Sequence, residues 1–191
     1  MHNYEKTAFE KVSSKYGESV TESNISRQRA ESWFAVHTKA RHEKKTNRAL
    51  AEKDVETFLP LREVMSQWKD RKKKVLMPLF PGYLFVNIDP SDRYTVLNTN
   101  GVVRILGNNG VPVPVSPEEI EATKRLIETG IKYEPFPYGI VGREVELIRG
   151  PLEGVMGRIL RTKGAYSLIL SVHLIRRSVS VEVDLNDVDF I

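Results

Sequence analysis

Residues 77–88 constrain the fold of this chain more than any other segment. Pro78 and Pro81 disfavour a helix there because proline lacks a backbone N–H and fixes φ. Alternating large apolar residues follow, and this pattern predicts a buried strand. We expect its aliphatic face in the core and its aromatic face more open, with burial of both faces as the alternative. Because successive side chains point to opposite sides, the faces are Leu84, Val86 and Ile88, and Tyr83, Phe85 and Asn87.

The composition excludes several classes of protein. The 191 residues include no cysteine, which excludes disulfides, zinc–thiolate sites and thiol chemistry. No apolar run reaches the roughly 18 residues of a membrane span, and the polar N-terminus lacks the apolar region of a secretory signal. We therefore expect a cytoplasmic protein without membrane contact. Residues 1–31 lack an apolar period and are expected to form a flexible extension, with a short helix at 4–12 as the alternative.

The positive charge of the chain is local. The net charge is +4, yet residues 33–85 carry twelve Lys and Arg against six Asp and Glu. The two signs cancel in residues 1–32 and again in residues 141–191. A local basic patch of this kind favours contact with nucleic acid.

The ordered part is predicted to begin with a strand, a helix and a strand. The strands lie at 33–37 and 55–61, and the helix runs from an N-cap at Thr38 to about Lys53. One helix face is basic, which indicates either a nucleic-acid contact or a solvated surface. The residues of that face are Arg41, Lys44, Lys45 and Arg48.

Residues 62–76 predict a projecting β-hairpin. Two alternating arms, at 64–68 and 73–76, flank a polar turn at 69–72. A basic hairpin with a tryptophan suits a phosphate backbone, whereas the alternative is an edge hairpin whose lysines only prevent aggregation. The candidate phosphate contacts are Lys69, Arg71, Lys72, Lys73 and Lys74.

Further elements complete the predicted N-terminal domain. A short helix is predicted at 89–99, strands at 102–106 and 111–115, and a helix from a capping box at 116–119 to about Thr129. The inner stripe of that last helix is predicted to be Ile120, Thr123 and Ile127.

The order of elements over residues 33–106 predicts the fold class. Strand, helix, strand, strand, helix, strand is the ferredoxin-like, split βαβ order. With the inserted basic hairpin and an appended helix, it predicts an α+β domain at 32–129. Residues 130–139 are rich in proline and are expected to form a semi-rigid linker. Residues 140–191 have a period of 2 and predict a small β-barrel of four or five strands.

No enzyme site is predicted. The four histidines have no metal-ligand spacing, and neither a Gly-x-Ser-x-Gly pattern nor a phosphate loop occurs. The acidic residues are scattered among lysines and arginines. We expect no catalytic residue, cofactor or bound metal.

A glycine pattern at 142–159 resembles a KOW motif, which occurs in small SH3-like barrels. Two of its glycines are suited to tight turns with positive φ. Together with Trp-Phe-Ala-Val at 33–36 and Pro-Leu-Phe-Pro-Gly-Tyr-Leu-Phe-Val at 78–86, the motif makes the chain similar to the NusG family of transcription elongation factors. The resemblance covers residues 33–191. The KOW positions are Gly142, Gly150, Pro151, Gly154 and Gly157.

The resemblance implies a transcription elongation and antitermination factor. In this family the N-terminal domain binds the clamp helices of the largest RNA polymerase subunit through an apolar pocket. The basic helix and hairpin then become contacts to non-template or upstream DNA, and the barrel a contact to a ribosomal protein or a termination factor. We expect a monomer. The positions that match the polymerase pocket are Phe80, Tyr83, Phe85 and His37.

The sequence of residues 78–85 and the presence of an N-terminal extension resemble the specialised, operon-directed RfaH-like paralogues more than the housekeeping factor. In RfaH the C-terminal domain can switch to a helical hairpin that masks the pocket. The alternation at 179–185 is a poor helix pattern, so we predict a constitutive barrel. The alternatives are a ribosomal-type KOW module that binds RNA, which the neutral barrel disfavours, and a structural adaptor without a nucleic-acid contact.

Overall fold

The structure is a computed structural model that describes residues 31–68, 71–162 and 164–191. The expected N-terminal extension, apart from Glu31, lies outside these residues, and so does Lys69 of the predicted hairpin turn. The described chain is a mixed α/β protein made mostly of strands, with few helices.

The strands are numbered along the described chain. They are β1 (Ser32–Thr38), β2 (Glu56–Phe58), β3 (Leu61–Trp68), β4 (Arg71–Pro78), β5 (Tyr83–Ile88), β6 (Val102–Ile105), β7 (Gly107–Asn108), β8 (Val111–Pro112), β9 (Tyr133–Phe136), β10 (Arg143–Leu147), β11 (Met156–Thr162), β12 (Ala165–Val172), β13 (Arg177–Val183) and β14 (Val188–Phe190). The α-helices are α1 (Glu43–Ala51), α2 (Arg93–Leu97) and α3 (Pro117–Glu128), and 3₁₀ turns occupy Pro90–Asp92 and Leu185–Asp187.

The first sheet has the strand order β2, β5, β1, β6, with antiparallel neighbours throughout. Helices α1 and α2 cover one of its faces, where Leu50 and Val96 pack against the aliphatic side chains of β1 and β5. The prediction that the aliphatic face of β5 lies in the core is therefore confirmed. The strand residues buried there are Phe34, Val36, Leu84, Val86 and Ile88.

Helix α1 begins later than predicted. Thr38 still belongs to β1, where it pairs with Val102. Arg41 has a φ of 62°, which an α-helix does not accept. The helix therefore starts at Glu43, and the predicted N-cap at Thr38 is wrong.

The predicted hairpin is present as β3 and β4, which form a two-stranded sheet of their own. The arms are longer than predicted, because the register pairs Leu61 with Pro78 and Trp68 with Arg71. Only residues 69–70, which lie outside the described residues, remain to connect the two arms.

The second sheet is antiparallel and has the order β14, β10, β11, β12, β13, β9. Five of its strands, β10 to β14, lie within the segment predicted to form four or five strands. Turns occur where they were predicted, at Gly150, Gly164 and Arg176, and all three residues have positive φ. The buried face of this sheet includes Val145, Leu147, Leu168, Leu170, Val179 and Val181.

Residues 130–139 are not a linker throughout. Tyr133–Phe136 form β9 at an edge of the second sheet, with Pro135 opposite Val179 of β13. An edge strand tolerates proline because the outward N–H has no ladder partner to lose. A proline-rich segment, predicted as a linker, can therefore join a sheet.

Helix α3 lies in one continuous buried cluster with parts of both sheets. The cluster includes Phe85 of the first sheet, Ile120 and Leu126 of α3, and Val145 of the second sheet. The predicted stripe of α3 is right at Ile120 and Thr123, but its third member is Leu126 rather than Ile127. The second face of the first sheet is thus covered.

The predicted capping box of α3 is absent. The Ser116 hydroxyl bonds to the carboxylate of Glu118 instead of the helix backbone, and this bond holds the pKa of Glu118 below its usual value. Glu119 reaches away from the helix start to His173 of the second sheet. Glu119 therefore forms a tertiary contact with His173 in place of the helix cap that the local pattern predicted.

Candidate functional site

The covered face of the first sheet, called here the aromatic face, carries a chain of aromatic rings. The register sets Phe85 of β5 opposite Ala35 of β1 and Phe58 of β2. The ring centroids of Phe58 and Phe85 are 6.0 Å apart, and Trp33 lies edge-on to Phe58 at 6.4 Å. Phe80, in the turn before β5, lies edge-on to Phe85 at 6.3 Å. The strand pairing therefore assembles one apolar surface from separate parts of the chain.

The expectation that this face is open is wrong for two of the predicted site residues. Phe80 retains 2% of its accessible surface and Phe85 none. Burial of such large rings is strongly favourable, at about 25 cal/mol per Å² of apolar surface. The alternative of two covered faces therefore describes this strand.

His37 and Tyr83 form the accessible edge of the aromatic face. They pair directly across β1 and β5, and their ring centroids are 5.3 Å apart. Both side chains are half-buried. His37 Nδ1 has no hydrogen-bond partner within the described residues. Arg104 of β6 pairs with His37 in register and is exposed, which adds a positive charge to this edge.

Helix α3 touches the aromatic face on one side and the second sheet on the other. The Nζ atom of Lys124 lies 4.5 Å from the centroid of Trp33, a cation–π geometry. On the opposite side, Arg125 donates to the carbonyl oxygen of Glu153 at 2.6 Å. Glu119 contacts the backbone N–H and Nδ1 of His173. These residues were not predicted as site residues, because the sequence of α3 predicted only an inner stripe.

A cavity separates part of α3 from the second sheet. Its volume is about 710 Å³, and its lining includes Trp33, Lys124, Met156 and Ile169. The contacts of Glu119 and Arg125 therefore lie beside a gap in the packing, whereas Ile120 and Leu126 join the buried cluster.

A second connection joins the hairpin to the second sheet. The hydroxyl of Tyr133 in β9 donates to the carbonyl oxygen of Leu61 at 3.3 Å. The guanidinium of Arg62 lies 3.6 Å from the carboxylate of the neighbouring Glu134. Burial raises the pKa of the Tyr133 phenol, and the positive charge of Arg62 opposes part of that effect.

The predicted basic face of α1 is exposed and adjoins the hairpin. Its side chains point away from the buried Leu50. Lys44 Nζ donates to the carbonyl oxygen of Leu76 at 2.6 Å, which links the helix to β4. The exposed members that lie on the helix are Lys44, Lys45 and Arg48. Arg41 is exposed in the turn before the helix, so its predicted place on the helix face is wrong.

The hairpin lysines are exposed but do not form one patch. Lys72 and Lys74 alternate with Lys73 along β4. Lys72 and Lys74 therefore lie on one side of the hairpin and Lys73 lies on the other. Lys74 forms an ion pair with Glu63 at 2.8 Å, and the hydrogen bond to Glu63 raises the pKa of Lys74. Of Arg71 the structure describes only its place in β4.

The glycines that were predicted to form a KOW motif occupy two kinds of position. Gly150 and Gly154 have φ of 87° and 79°, as expected for the tight turn around Pro151. Gly142 and Gly157 allow close strand contact instead. A Cβ atom on Gly142 would lie 2.7 Å from the carbonyl oxygen of Ile159, and one on Gly157 would lie 2.9 Å from that of Ile169.

Within the ranges that the structure describes, no group of three or more His, Asp or Glu side chains is placed to hold a metal ion. No helix in those ranges is long and apolar enough to span a membrane.

Comparison with known proteins identifies relatives along most of the chain. A family model described as "Transcription termination factor nusG" matches residues 31–124. The chain is 30% identical to the transcription termination/antitermination protein NusG of Staphylococcus epidermidis over 177 residues, 84% of this chain and 96% of the relative. It is 28% identical to the NusG of Thermus thermophilus over 178 residues, 82% of this chain and 96% of the relative.

A solved structure titled "Domain interaction in Thermotoga maritima NusG" is similar in fold. It superposes with a TM-score of 0.53 at 23% sequence identity, over 84% of this chain and 97% of that chain. At this identity the likeness concerns the fold alone.

Proposed function

The chain belongs to the NusG family of transcription termination and antitermination proteins, and we propose that it binds the RNA polymerase clamp through its aromatic face and increases processivity. The observation that supports this most is the chain of aromatic rings on one sheet face, with His37 and Tyr83 at its accessible edge. An apolar surface of this kind, once it is exposed, is typical of a protein contact.

In the arrangement described here, only part of the aromatic face is available to a partner. His37 and Tyr83 are within reach, whereas Phe80 and Phe85 are buried. Binding through all four side chains therefore requires the second sheet to move away. We propose that the edge pair makes the first contact and that full binding follows release of the cover.

The exposed basic residues supply the nucleic-acid part of the proposal. The basic face of α1 and the hairpin are joined by the bond between Lys44 and Leu76. We propose that they contact non-template or upstream DNA through its phosphates. The contribution of each residue differs, because Lys74 already pairs with Glu63 whereas Lys73 lies on the other side of the hairpin.

The finer assignments are proposals of the same kind. We infer a ferredoxin-like domain at 32–129 and a constitutive SH3-like barrel at 140–191, whose partner would be a ribosomal protein or a termination factor. The sequence of residues 78–85 supports the proposal of an RfaH-like factor directed to specific operons. Such a factor would act in the cytoplasm as a monomer without catalytic activity.

Co-purification with core RNA polymerase tests the proposed function. We expect the wild-type chain to be retained and Tyr83→Ala to be retained at least several-fold less. The matched control is Tyr94→Ala, because Tyr94 is exposed on α2, on the helix-covered side of the sheet. Equal retention of Tyr83→Ala and Tyr94→Ala would contradict a docking role for the aromatic face. No retention of the wild type would contradict the proposed function.

A further inference from the structure

Glu43 is a buried acid in a part of the chain that otherwise carries exposed positive charge. It begins α1 and keeps 6% of its accessible surface, and it is the one charged residue that is buried within the described ranges. A buried carboxylate is costly unless hydrogen bonds replace its lost contacts with water. Its Oε1 atom accepts the backbone N–H of Gly82 at 2.8 Å. The Glu43 side chain is therefore directed at the turn before β5.

Gly82 is held on both sides of its peptide backbone. Its N–H donates to Glu43, and its carbonyl oxygen accepts the backbone N–H of Thr38 at 2.9 Å. A Cβ atom added to Gly82 would lie 3.7 Å from the ring of His37, so the backbone of this turn lies next to that ring. Tyr83 follows Gly82 directly as the first residue of β5. One turn residue thus lies between the two members of the accessible edge, His37 and Tyr83.

The start of α1 is itself fixed, so the Glu43 carboxylate has a defined position. Thr46, in the next turn of the helix, is fully buried, and its hydroxyl donates to the carbonyl oxygen of Asn100 at 3.3 Å. Lys39, between β1 and the helix, donates its backbone N–H to the carbonyl oxygen of Gly101 at 2.8 Å. A shift of the helix would break these contacts, so it does not compensate for a shorter side chain at position 43.

We propose that Glu43 is a positioning residue for polymerase docking. Its carboxylate holds Gly82 and thereby fixes the accessible edge, and the proposal rests on the proposed function, which assigns the first contact to that edge. Without this hydrogen bond the turn adopts further conformations, of which only a fraction presents His37 and Tyr83 in the arrangement that docks. The apparent affinity for the polymerase falls in proportion to that fraction. Glu43 acts only through Gly82 and does not touch the partner.

The contact depends on the length of the side chain at position 43 more than on its charge. Glutamine has the same length and keeps an oxygen that accepts the N–H of Gly82, although the bond to a neutral acceptor is weaker. Aspartate keeps the charge but is shorter by one methylene group, so its carboxylate no longer reaches Gly82. We expect Glu43→Gln to bind polymerase within about threefold of the wild type. Glu43→Asp should bind about tenfold more weakly, as expected for the loss of a hydrogen bond to a charged group.

The first test measures the apparent Kd of the full chain, labelled with a dye at its N-terminus, for core RNA polymerase. The matched controls are Glu52→Gln and Glu52→Asp, at an exposed position at the end of the same helix, and both should bind as the wild type does. Leu50→Val controls for a loss of stability, because Leu50 is buried on the helix-covered side of the sheet. At an equal folded fraction, set with urea, Leu50→Val should bind more tightly than Glu43→Asp.

The second test follows the backbone N–H of Gly82 by hydrogen exchange in NMR spectra. The wild type should exchange this proton slowly, because it is donated to a buried carboxylate. Glu43→Asp should exchange it about tenfold faster, and Glu43→Gln should lie closer to the wild type. The amide of Val86, buried in the middle of β5, should stay equally protected in all three proteins. A purely structural role of Glu43 would speed exchange at Val86 as well.

Three results would overturn the inference while the proposed function stands. The first is an equal Kd for Glu43→Asp and Glu43→Gln, and the second is an equal loss of affinity in Leu50→Val at the same folded fraction. The third is exchange of the Gly82 amide in the folded wild type as fast as that of an unprotected amide, a result that needs no variant. An absence of polymerase binding by the wild type would overturn the proposed function, and the inference with it.

Discussion

The carboxylate of Glu119 contacts His173 twice, at the backbone N–H and at Nδ1, the latter at 2.5 Å. Glu119 lies in the first turn of α3, and His173 follows β12. Five residues further along α3, Lys124 rests on the ring of Trp33. The pair therefore fastens the second sheet to the helix that covers the aromatic face.

We predict that Glu119→Gln loosens this cover. The substitution keeps the size of the side chain but removes the charge that strengthens both contacts to His173. Because His173 is largely exposed, the closed arrangement should lose only about 1 kcal/mol, and retention on core RNA polymerase should rise up to about fivefold. The control is Glu121→Gln, an exposed acid on the same helix. Equal retention of the two variants would contradict the role of Glu119.

We predict that Phe85→Ala destabilises the fold by about 3–5 kcal/mol, as expected for a fully buried phenylalanine. Phe85 packs against both Phe58 and Phe80, so the deletion leaves a cavity among rings that cannot close it. Urea denaturation measures the loss. Tyr83→Ala should lose less, because Tyr83 is only half-buried. A loss under about 1 kcal/mol for Phe85→Ala would contradict the burial of this ring.

The features of the fold that follow from local chemistry were predictable from sequence. The aliphatic face of β5 follows from alternation, and the turns at Gly150 and Gly164 follow from the conformational freedom of glycine. The boundaries of α1 were less predictable. A positive φ at Arg41, a residue that prefers negative φ, has no sequence signal.

The burial of the aromatic face could not be predicted from local sequence patterns. Whether Phe85 is open or buried depends on α3 and the second sheet, which are distant in sequence. The capping box predicted at Glu119 failed for the same reason. The local pattern suits a bond within the helix, but the Glu119 side chain contacts His173, which is distant in sequence. Trp33 was a sequence signal that this face is apolar, because alternation along β1 sets Trp33 on the same face as Ala35.

We predict that Lys73→Gln weakens the salt dependence of DNA binding more than Lys74→Gln. A lysine that contacts a phosphate adds about 1 to the slope of log affinity against log salt concentration. Lys74 pairs with Glu63 at 2.8 Å and releases fewer counterions, whereas Lys73 is exposed on the opposite side. Fluorescence anisotropy over a salt series measures both slopes. A larger decrease for Lys74→Gln would contradict the proposed geometry.

We predict that the glycines of the proposed KOW motif separate into two classes on substitution. Gly157→Ala should cost about 1–3 kcal/mol by overpacking, because the new Cβ would meet the carbonyl oxygen of Ile169 and the side chain of Leu168, both at 2.9 Å. Gly150→Asn should cost under about 1 kcal/mol, since asparagine tolerates positive φ and the site is open. Urea denaturation of the two variants tests this order, and the reverse order would refute it.

We predict that stability falls at alkaline pH through Tyr133. Burial raises the pKa of the Tyr133 phenol above its ordinary value of 10.0, so the folded state favours the neutral form that donates to Leu61. The contribution is therefore complete below the unfolded pKa of about 10 and is lost as the pH rises through the folded pKa. The free energy of unfolding, measured in urea from about pH 8 to about pH 11, should decrease more steeply in the wild type than in Tyr133→Phe. Tyr94→Phe, at an exposed position, should follow the wild type, and parallel curves for all three proteins would show that the Tyr133 contact does not depend on its proton.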